Sequence, residues 1–246
     1  MESDKAGRME SGNVNRVRRC LLLIFLAIAG LHHAAGAESG MQRSIERVLA
    51  KYSEKVESRL LPRFRYAGID WPPKELQLLA IKETRRMELW ARSDGGWHYI
   101  REYQIKGMSG GFGPKLKEGD RQVPEGIYRI SLLNPNSSFH LSLKVDYPNA
   151  YDREMAQRDG RRRLGGDIFI HGNRVSSGCL AIGDNAIEEL FVLGAMLGKE
   201  RVHLLISPVD FRTYSTESLK TDKPDWIGSL YQQIAHEMRR FQRPQQ

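Results

Sequence analysis

The chain has 246 residues, of which 40% are hydrophobic and 28% charged, and its formal net charge is +8. This balance is that of a globular protein of one ordinary domain with appendages, or at most two small domains, and it excludes a fibrous or low-complexity chain. The positive charge suits a polyanionic partner such as a wall polymer or an anionic membrane leaflet, although it can equally serve solubility alone.

Residues 1–37 have the pattern of a secretory signal peptide. Three arginines precede a short apolar run, which small residues close: Arg16, Arg18, Arg19, then Leu21–Gly30, then Ala35–Ala37. The run is shorter than the roughly 20 residues that a membrane span needs, so an uncleaved anchor is the less favoured alternative. We therefore expect cleavage after Ala37 and an exported protein, which argues against nucleic acid as a partner.

Cleavage after Ala37 would remove Cys20 and leave Cys179 as the only cysteine. A disulfide needs a second cysteine, and a structural zinc site usually needs more thiols. An unpaired thiol in an oxidising compartment points to a use of its reactivity, and a buried inert cysteine is the alternative.

A helix followed by a linker is predicted for residues 38–73. Apolar residues recur at helical spacing over 41–61, and Pro62 is expected to end the helix; they are Ile45, Val48, Leu49, Tyr52, Val56 and Leu60. The turn-rich text up to Pro73 marks a boundary, so the main domain is expected over 74–212.

Short apolar or alternating runs within this domain predict strands at 76–81, 87–91, 97–105, 127–133 and 139–145. The glycine-rich stretch 106–119 does not fit the phosphate-loop pattern. It is interpreted as a loop that lines a substrate site, with Lys115 able to meet a carboxylate, or as a mobile connection with solvated lysines.

The stretch 167–182 concentrates the residues that carry chemistry. His171 ends one apolar run, Cys179 begins the next, and Gly172 and Gly178 lie beside them. If the runs are paired strands, their ends lie about 5 Å apart, within hydrogen-bonding range of imidazole and thiol. An imidazole can take the thiol proton, hold the ion pair and return the proton to a leaving amine. The pattern predicts acyl transfer, with the N–H groups of Cys179 and a neighbour as oxyanion donors.

After this stretch, a helix capped by Asp184 is predicted to end at Gly198, and a strand is predicted at 201–206. Residues 213–246 are predicted to form a C-terminal extension, in which Pro224 opens a final helix. Neither H-E-x-x-H nor paired cysteines occurs, so no metal site is predicted.

His171-Gly172, followed by the S-x-G-C pattern of Ser176, Gly178 and Cys179, resembles the catalytic signature of the L,D-transpeptidase (YkuD) family of cell-wall enzymes. The stretches 109–130 and 147–153 are similar to two further motifs of that family, and the short spacing from His171 to Ser176 is most similar to its YafK-like branch. The resemblance covers roughly residues 76–207.

This resemblance implies an α+β, β-rich YkuD-type fold with flanking N- and C-terminal helices. It implies that Cys179 is the nucleophile and His171 the base, that Ser176, Gly178 and Gly172 shape the loop and support the oxyanion, and that no cofactor is needed. Its expected partners are diamino-acid-containing peptidoglycan stem peptides in the periplasm, bound by a protein that is peripheral to the envelope.

Three further residues are candidate substrate contacts: Lys115, Tyr147 and Arg174. Tyr147 alternatively belongs only to a turn. Many family members carry an arginine two residues after the cysteine, where this chain has Ala181, and Arg174 is a candidate substitute. Three functions remain open: an L,D-transpeptidase with an amine acceptor, a hydrolase that releases wall-attached lipoprotein, and a catalytically idle wall-binding module.

Overall fold

The computed structural model of the protein describes residues 45–219 and 224–243. The predicted signal peptide, 1–37, lies outside the described residues. The described residues from 47 onward form one compact unit. In the described ranges, no helix combines the length and apolar character needed to cross a bilayer.

Eight strands form one mixed sheet in the order β3-β2-β1-β8-β4-β5-β6-β7. Their bounds are β1 Leu76–Ile81, β2 Arg86–Ser93, β3 Gly96–Gln104, β4 Gly126–Asn134, β5 Ser142–Val145, β6 Phe169–His171, β7 Leu180–Ala181 and β8 Val202–Ser207. The pairs β1–β8 and β6–β7 are parallel, and the other neighbours are antiparallel. Every residue of β1 is buried, including Gln77, which agrees with its mainly apolar sequence and its position inside the sheet.

Four helices flank the sheet: α1 through 45–66, α2 Ala150–Arg158, α3 Asp184–Leu197 and α4 Trp226–Met238. Helix α4 packs its buried side, including Ile227, Ile234 and Met238, against Leu79 and Leu205 of the sheet. Helices and strands therefore share one core, and the predicted α+β class is confirmed.

Helix α1 continues past Pro62, so the predicted end at that proline is wrong. The last turn is held by Phe64, which is fully buried and packs edge-on against Trp71 with ring centroids 5.1 Å apart. Tertiary burial thus offsets the hydrogen bond that a proline removes from a helix interior.

Helix α2 was not predicted. It is short and polar, and it buries only Met155 and Ala156. Its start is fixed by a capping box in which Asn149 accepts from the Asp152 N–H and Asp152 accepts from the Asn149 N–H. The predicted cap at Asp184 is also displaced by one residue, because Gly183 is the N-cap of α3.

A buried ion pair anchors the glycine-rich loop to the last helix. Lys82 Nζ lies 2.8 Å from Glu125 Oε1, and neither side chain is more than 1% exposed. The Glu125 carboxylate also accepts from the Gly113 N–H and the Tyr231 hydroxyl, each at 2.9 Å. Because buried charges are tolerated only when they are paired and hydrogen-bonded, this network holds the loop against the sheet and α4.

Candidate active site

Strands β6 and β7 place the candidate catalytic residues next to each other. The strands pair in parallel, with Ile170 opposite Leu180 and His171 opposite Ala181. Cys179, one residue before β7, therefore lies level with Phe169 and diagonal to His171. The expected pairing of the two runs is present, and a diagonal pair places backbones about 7–8 Å apart.

His171 and Cys179 line the same pocket, whose volume is about 230 Å³. Asn134, Asn136, Ser137, Ser138, Phe139, Ser142 and Phe169 complete its lining. Most of these residues belong to the connection between β4 and β5, which the sequence identified only as a turn and the start of a strand. The strand predicted over 139–145 begins only at Ser142. Residues 139–141 lie outside it, and Phe139 packs on His171 instead.

The His171 imidazole is held in one orientation. Its Nδ1 lies 2.7 Å from the Gly172 carbonyl oxygen, which can only accept, so Nδ1 carries the proton and Nε2 is the free base. The Phe139 ring stacks on the imidazole with a centroid distance of 4.6 Å and a tilt of 30°. Burial lowers the pKa of His171, so the neutral base is the favoured form.

The Cys179 sulfur is not hydrogen-bonded to His171 in the described part of the chain. Its Sγ–H donates instead to the Asp167 carbonyl oxygen, at 3.6 Å. Burial raises the pKa of the Cys179 thiol, against the opposing influences of the Phe169 backbone and the Lys115 charge. Partial burial of both groups therefore favours their neutral forms over a resting thiolate–imidazolium pair.

Ser176 fixes the backbone of the nucleophile from both sides. Its hydroxyl donates to the Cys179 carbonyl at 2.7 Å and accepts from the Cys179 N–H at 3.1 Å. The Gly178 N–H donates to Ser109 Oγ at 2.7 Å, and Ser109 in turn donates to the Arg121 carbonyl. Both N–H groups are thus engaged within the protein, contrary to their predicted role as oxyanion donors.

Gly172 and Gly178 are required by geometry. A Cβ on Gly172 would lie 2.6 Å from both Asp184 Oδ1 and the Phe139 carbonyl oxygen, and Gly178 has a φ of +86°. Ser109 is a contributor that sequence reasoning missed. Its only signal was its position at the start of the 109–130 motif.

Two of the three candidate substrate contacts are engaged in the fold. Lys115 is 7% exposed, and its Nζ donates to Asp120 Oδ1 at 2.6 Å. Tyr147 is 4% exposed, and its hydroxyl donates to the carbonyls of Lys115 and Leu164, each at 3.3 Å. Neither is placed to bind substrate directly, because burial and internal partners occupy both polar ends.

Arg174 is exposed on the loop between His171 and Cys179, and its backbone carbonyl lies against Gly107. Ala181 is fully buried in β7 and exchanges backbone hydrogen bonds with Gly107 at 2.9 and 3.2 Å. A built Cβ on Gly107 would lie 3.3 Å from the Ala181 Cβ. The side chain at position 181 thus points into packed backbone.

In the described ranges, no group of three or more His, Cys, Asp and Glu residues is arranged to hold a metal ion.

The neutral forms of Cys179 and His171 predict a slow reaction of the thiol with alkylating reagents. We expect Cys179 to react with iodoacetamide at pH 7 no faster than free cysteine, since burial raises its pKa above the ordinary 9.0. The measurement is the alkylation rate from pH 5 to pH 10, resolved by peptide mass spectrometry. His171→Gln should leave this rate nearly unchanged. A rate that reaches its plateau below about pH 7 would contradict the neutral pair.

Comparison with known proteins assigns the fold. Residues 78–199 match the model of YkuD, the L,D-transpeptidase catalytic domain. The protein YafK of Escherichia coli is 35% identical to this chain over 133 residues, which cover 52% of this chain and 52% of YafK. Its name assigns it provisionally to the L,D-transpeptidases. The chain thus matches about half the length of the curated relatives.

Solved structures align over longer stretches but with lower identity. The helical cell shape determining protein Pgp2 from Campylobacter jejuni aligns with a TM-score of 0.46 and 19% identity, over 68% of this chain and 71% of that one. Mycobacterium tuberculosis L,D-transpeptidase 1 aligns with a TM-score of 0.32 and 12% identity, over 55% and 73%. From the domain match over 78–199 and the identity with YafK, this part of the chain belongs to the YkuD family of L,D-transpeptidase catalytic domains.

Proposed function

We propose that the protein is an exported cysteine acyltransferase that acts on diamino-acid-containing stem peptides of peptidoglycan. The observation that carries this proposal is that Cys179 and His171 face one small pocket, with the free Nε2 of His171 as the base. Export to the periplasm rests on the signal-peptide pattern of residues 1–37.

The reaction begins with both groups neutral. Nε2 of His171 takes the thiol proton as Cys179 Sγ attacks the carbonyl carbon of the stem peptide, which forms the thioester and expels an amine. The imidazolium returns the proton to that amine. Because the sulfur now donates to Asp167, it must turn from that carbonyl toward Nε2 when substrate enters. The stacked Phe139 ring limits the motion of the imidazole during this step.

The second half-reaction defines the enzyme class. An amine acceptor gives an L,D-transpeptidase that forms cross-links or attaches a protein, whereas water gives a hydrolase that releases wall-attached lipoprotein. Hydrolysis is favoured by the short loop between His171 and Ser176, whose residues Asn173, Arg174 and Val175 are exposed. A loop of this size provides little surface beside the sulfur for a second stem peptide.

The proposal is tested on purified sacculi that carry attached lipoprotein peptide. We expect the wild-type chain to yield new products by mass spectrometry, and the Cys179→Ala variant to yield none. Products with a new amide bond identify transfer, and freed stems with an added water identify hydrolysis. If the wild-type chain is retained on sacculi without any cysteine-dependent product, the protein is a wall-binding module and the enzymatic proposal fails.

A further inference from the structure

A second pocket lies at the opposite edge of the sheet from the catalytic strands. It has a volume of about 690 Å³, three times that of the catalytic pocket. It is formed by the end of α1, by β3 and by the C-terminal tail, with Arg63, Tyr66, Trp97, His98, Tyr99 and Gln242 among its lining residues. Seven strand spacings separate β3 from β7, or at most about 34 Å across the sheet.

The pocket presents aromatic faces together with hydrogen-bonding groups. Tyr66 is 95% exposed, an unusual position for an aromatic side chain without a ligand. The other two rings are braced by neighbouring aromatic rings. Trp97 packs at a tilt against Phe241 with ring centroids 5.4 Å apart, and Tyr99 packs edge-to-face with Trp90 at 5.5 Å. Braced rings lose little freedom on binding, so the pocket is preorganised for a ligand with a flat apolar face.

The polar groups around these rings narrow the class of ligand. Arg63 and Gln242 line the pocket. The Gln242 amide donates one N–H to the Arg239 carbonyl at 2.8 Å, which leaves its second N–H and the Arg63 guanidinium as donors for a ligand. Arg92 lies over the Trp97 ring at 5.9 Å and pairs with Glu75, and Arg243 lies over the Tyr99 ring at 5.0 Å and pairs with Glu88 and Glu102. These two side chains therefore add no unpaired charge beside the rings, which suits a neutral ligand. A pyranose ring has an apolar C–H face that can rest on an aromatic ring, and its hydroxyl and acetamido groups need donors at its edge. An N-acetylated sugar matches both features.

A peptide added as a ninth strand fits less well. Strand β3 is the edge of the sheet, but its pairing with β2 shifts register at Leu89 and Trp90, where Arg101 and Tyr99 are their partners and Ile100 is skipped. A bulge of this kind interrupts the regular spacing of backbone groups on which strand addition depends. Recognition by ring faces does not need that spacing.

We propose that this pocket binds the N-acetylated amino-sugar backbone of the wall glycan. The inference rests on the proposed function, because that polymer carries the stem peptides on which Cys179 would act. A glycan strand held at β3 would keep the protein on the polymer while successive stems reach the catalytic pocket.

The test is isothermal titration of the full chain with an oligomer of N-acetylglucosamine, which carries no stem peptide and gives Cys179 nothing to attack. We expect Tyr66→Ala to weaken binding by about tenfold, the scale of one lost aromatic contact. Tyr66 is so exposed that its removal should leave the unfolding midpoint unchanged. Tyr214→Ala is the matched control, since Tyr214 is 46% exposed and does not line the pocket.

Two outcomes would overturn the inference: no binding of the oligomer by the wild-type chain, or equal binding by Tyr66→Ala. Displacement of the oligomer by a sugar-free stem peptide, in a Tyr66-dependent manner, would assign the pocket to peptide instead. Failure here is distinct from failure of the proposed function. If the chain forms cysteine-dependent products from soluble stem peptides but does not bind the sugar oligomer, only the glycan site is refuted. If it binds the oligomer but forms no such products, only the acyltransferase proposal is refuted.

Discussion

Replacing His171 with glutamine is expected to lower kcat by about 10²–10⁴-fold, the usual contribution of a general base. A glutamine amide can occupy the space and still contact the Gly172 carbonyl, but it cannot take the thiol proton. The measurement is steady-state release of product from a soluble stem peptide. His203→Gln is the matched control, because burial lowers the pKa of His203 too, yet it lies in β8 outside the catalytic pocket.

The pH profile of kcat/KM separates a neutral pair from an ion pair. Burial lowers the pKa of His171, so the base stays neutral to below its ordinary 6.5 and the acid limb should fall below that pH. Burial raises the pKa of Cys179, so the alkaline limb should lie above 9.0. A neutral pair thus gives a broad plateau between these limits. An alkaline limb well below pH 9.0, where an imidazolium would lose its proton, would show instead that the thiolate–imidazolium pair is the active form.

The second large effect concerns stability. Lys82→Met should reduce the free energy of unfolding by about 3–5 kcal/mol, because it leaves the Glu125 carboxylate buried without its cation. Burial lowers the pKa of Lys82, and Glu125 opposes that effect, which is the signature of a charge tolerated only because of its partner. Urea unfolding followed by circular dichroism measures the loss.

Two variants show whether the loss of the Lys82 charge beside Glu125 causes the loss of stability. The double variant Lys82→Met/Glu125→Leu removes both charges and should lose less stability than Lys82→Met alone. Lys74→Met removes a lysine from an exposed pair with Asp94, whose side chains are 66% and 92% exposed, and should cause no measurable loss. A double variant that is less stable than the single one would contradict the reading of an uncompensated charge.

The strands of the central sheet were predictable because their signal is local. Leu76–Ile81 is an apolar run interrupted only by Gln77, and the structure gives the strand the same bounds. The family and its fold class are also confirmed, since the His171-Gly172 and S-x-G-C motifs lie within the matched domain. A short motif and a buried apolar run can both be recognised in the sequence without knowledge of tertiary contacts.

What failed depended on partners distant in the chain. Lys115 has the composition of a solvated loop lysine, but Asp120 and the surrounding fold bury it. Pro62 ends helices on average, and only the burial of Phe64 carries α1 past it. The protonation of the catalytic pair likewise depends on burial, which the spacing of His171 and Cys179 cannot report. These outcomes belong to the assembled core, where propensity is overridden.

The contact between Tyr231 and Glu125 joins residues 106 positions apart. During synthesis the glycine-rich loop emerges long before α4, so the Glu125 carboxylate that holds Gly113 lacks one of its hydrogen-bond donors until Trp226–Met238 has also emerged and docked. Ser109 of the same loop supports Gly178 beside the nucleophile. The loop that supports the nucleophile would therefore be fully anchored only after α4 has docked, so the catalytic centre would be completed late in folding.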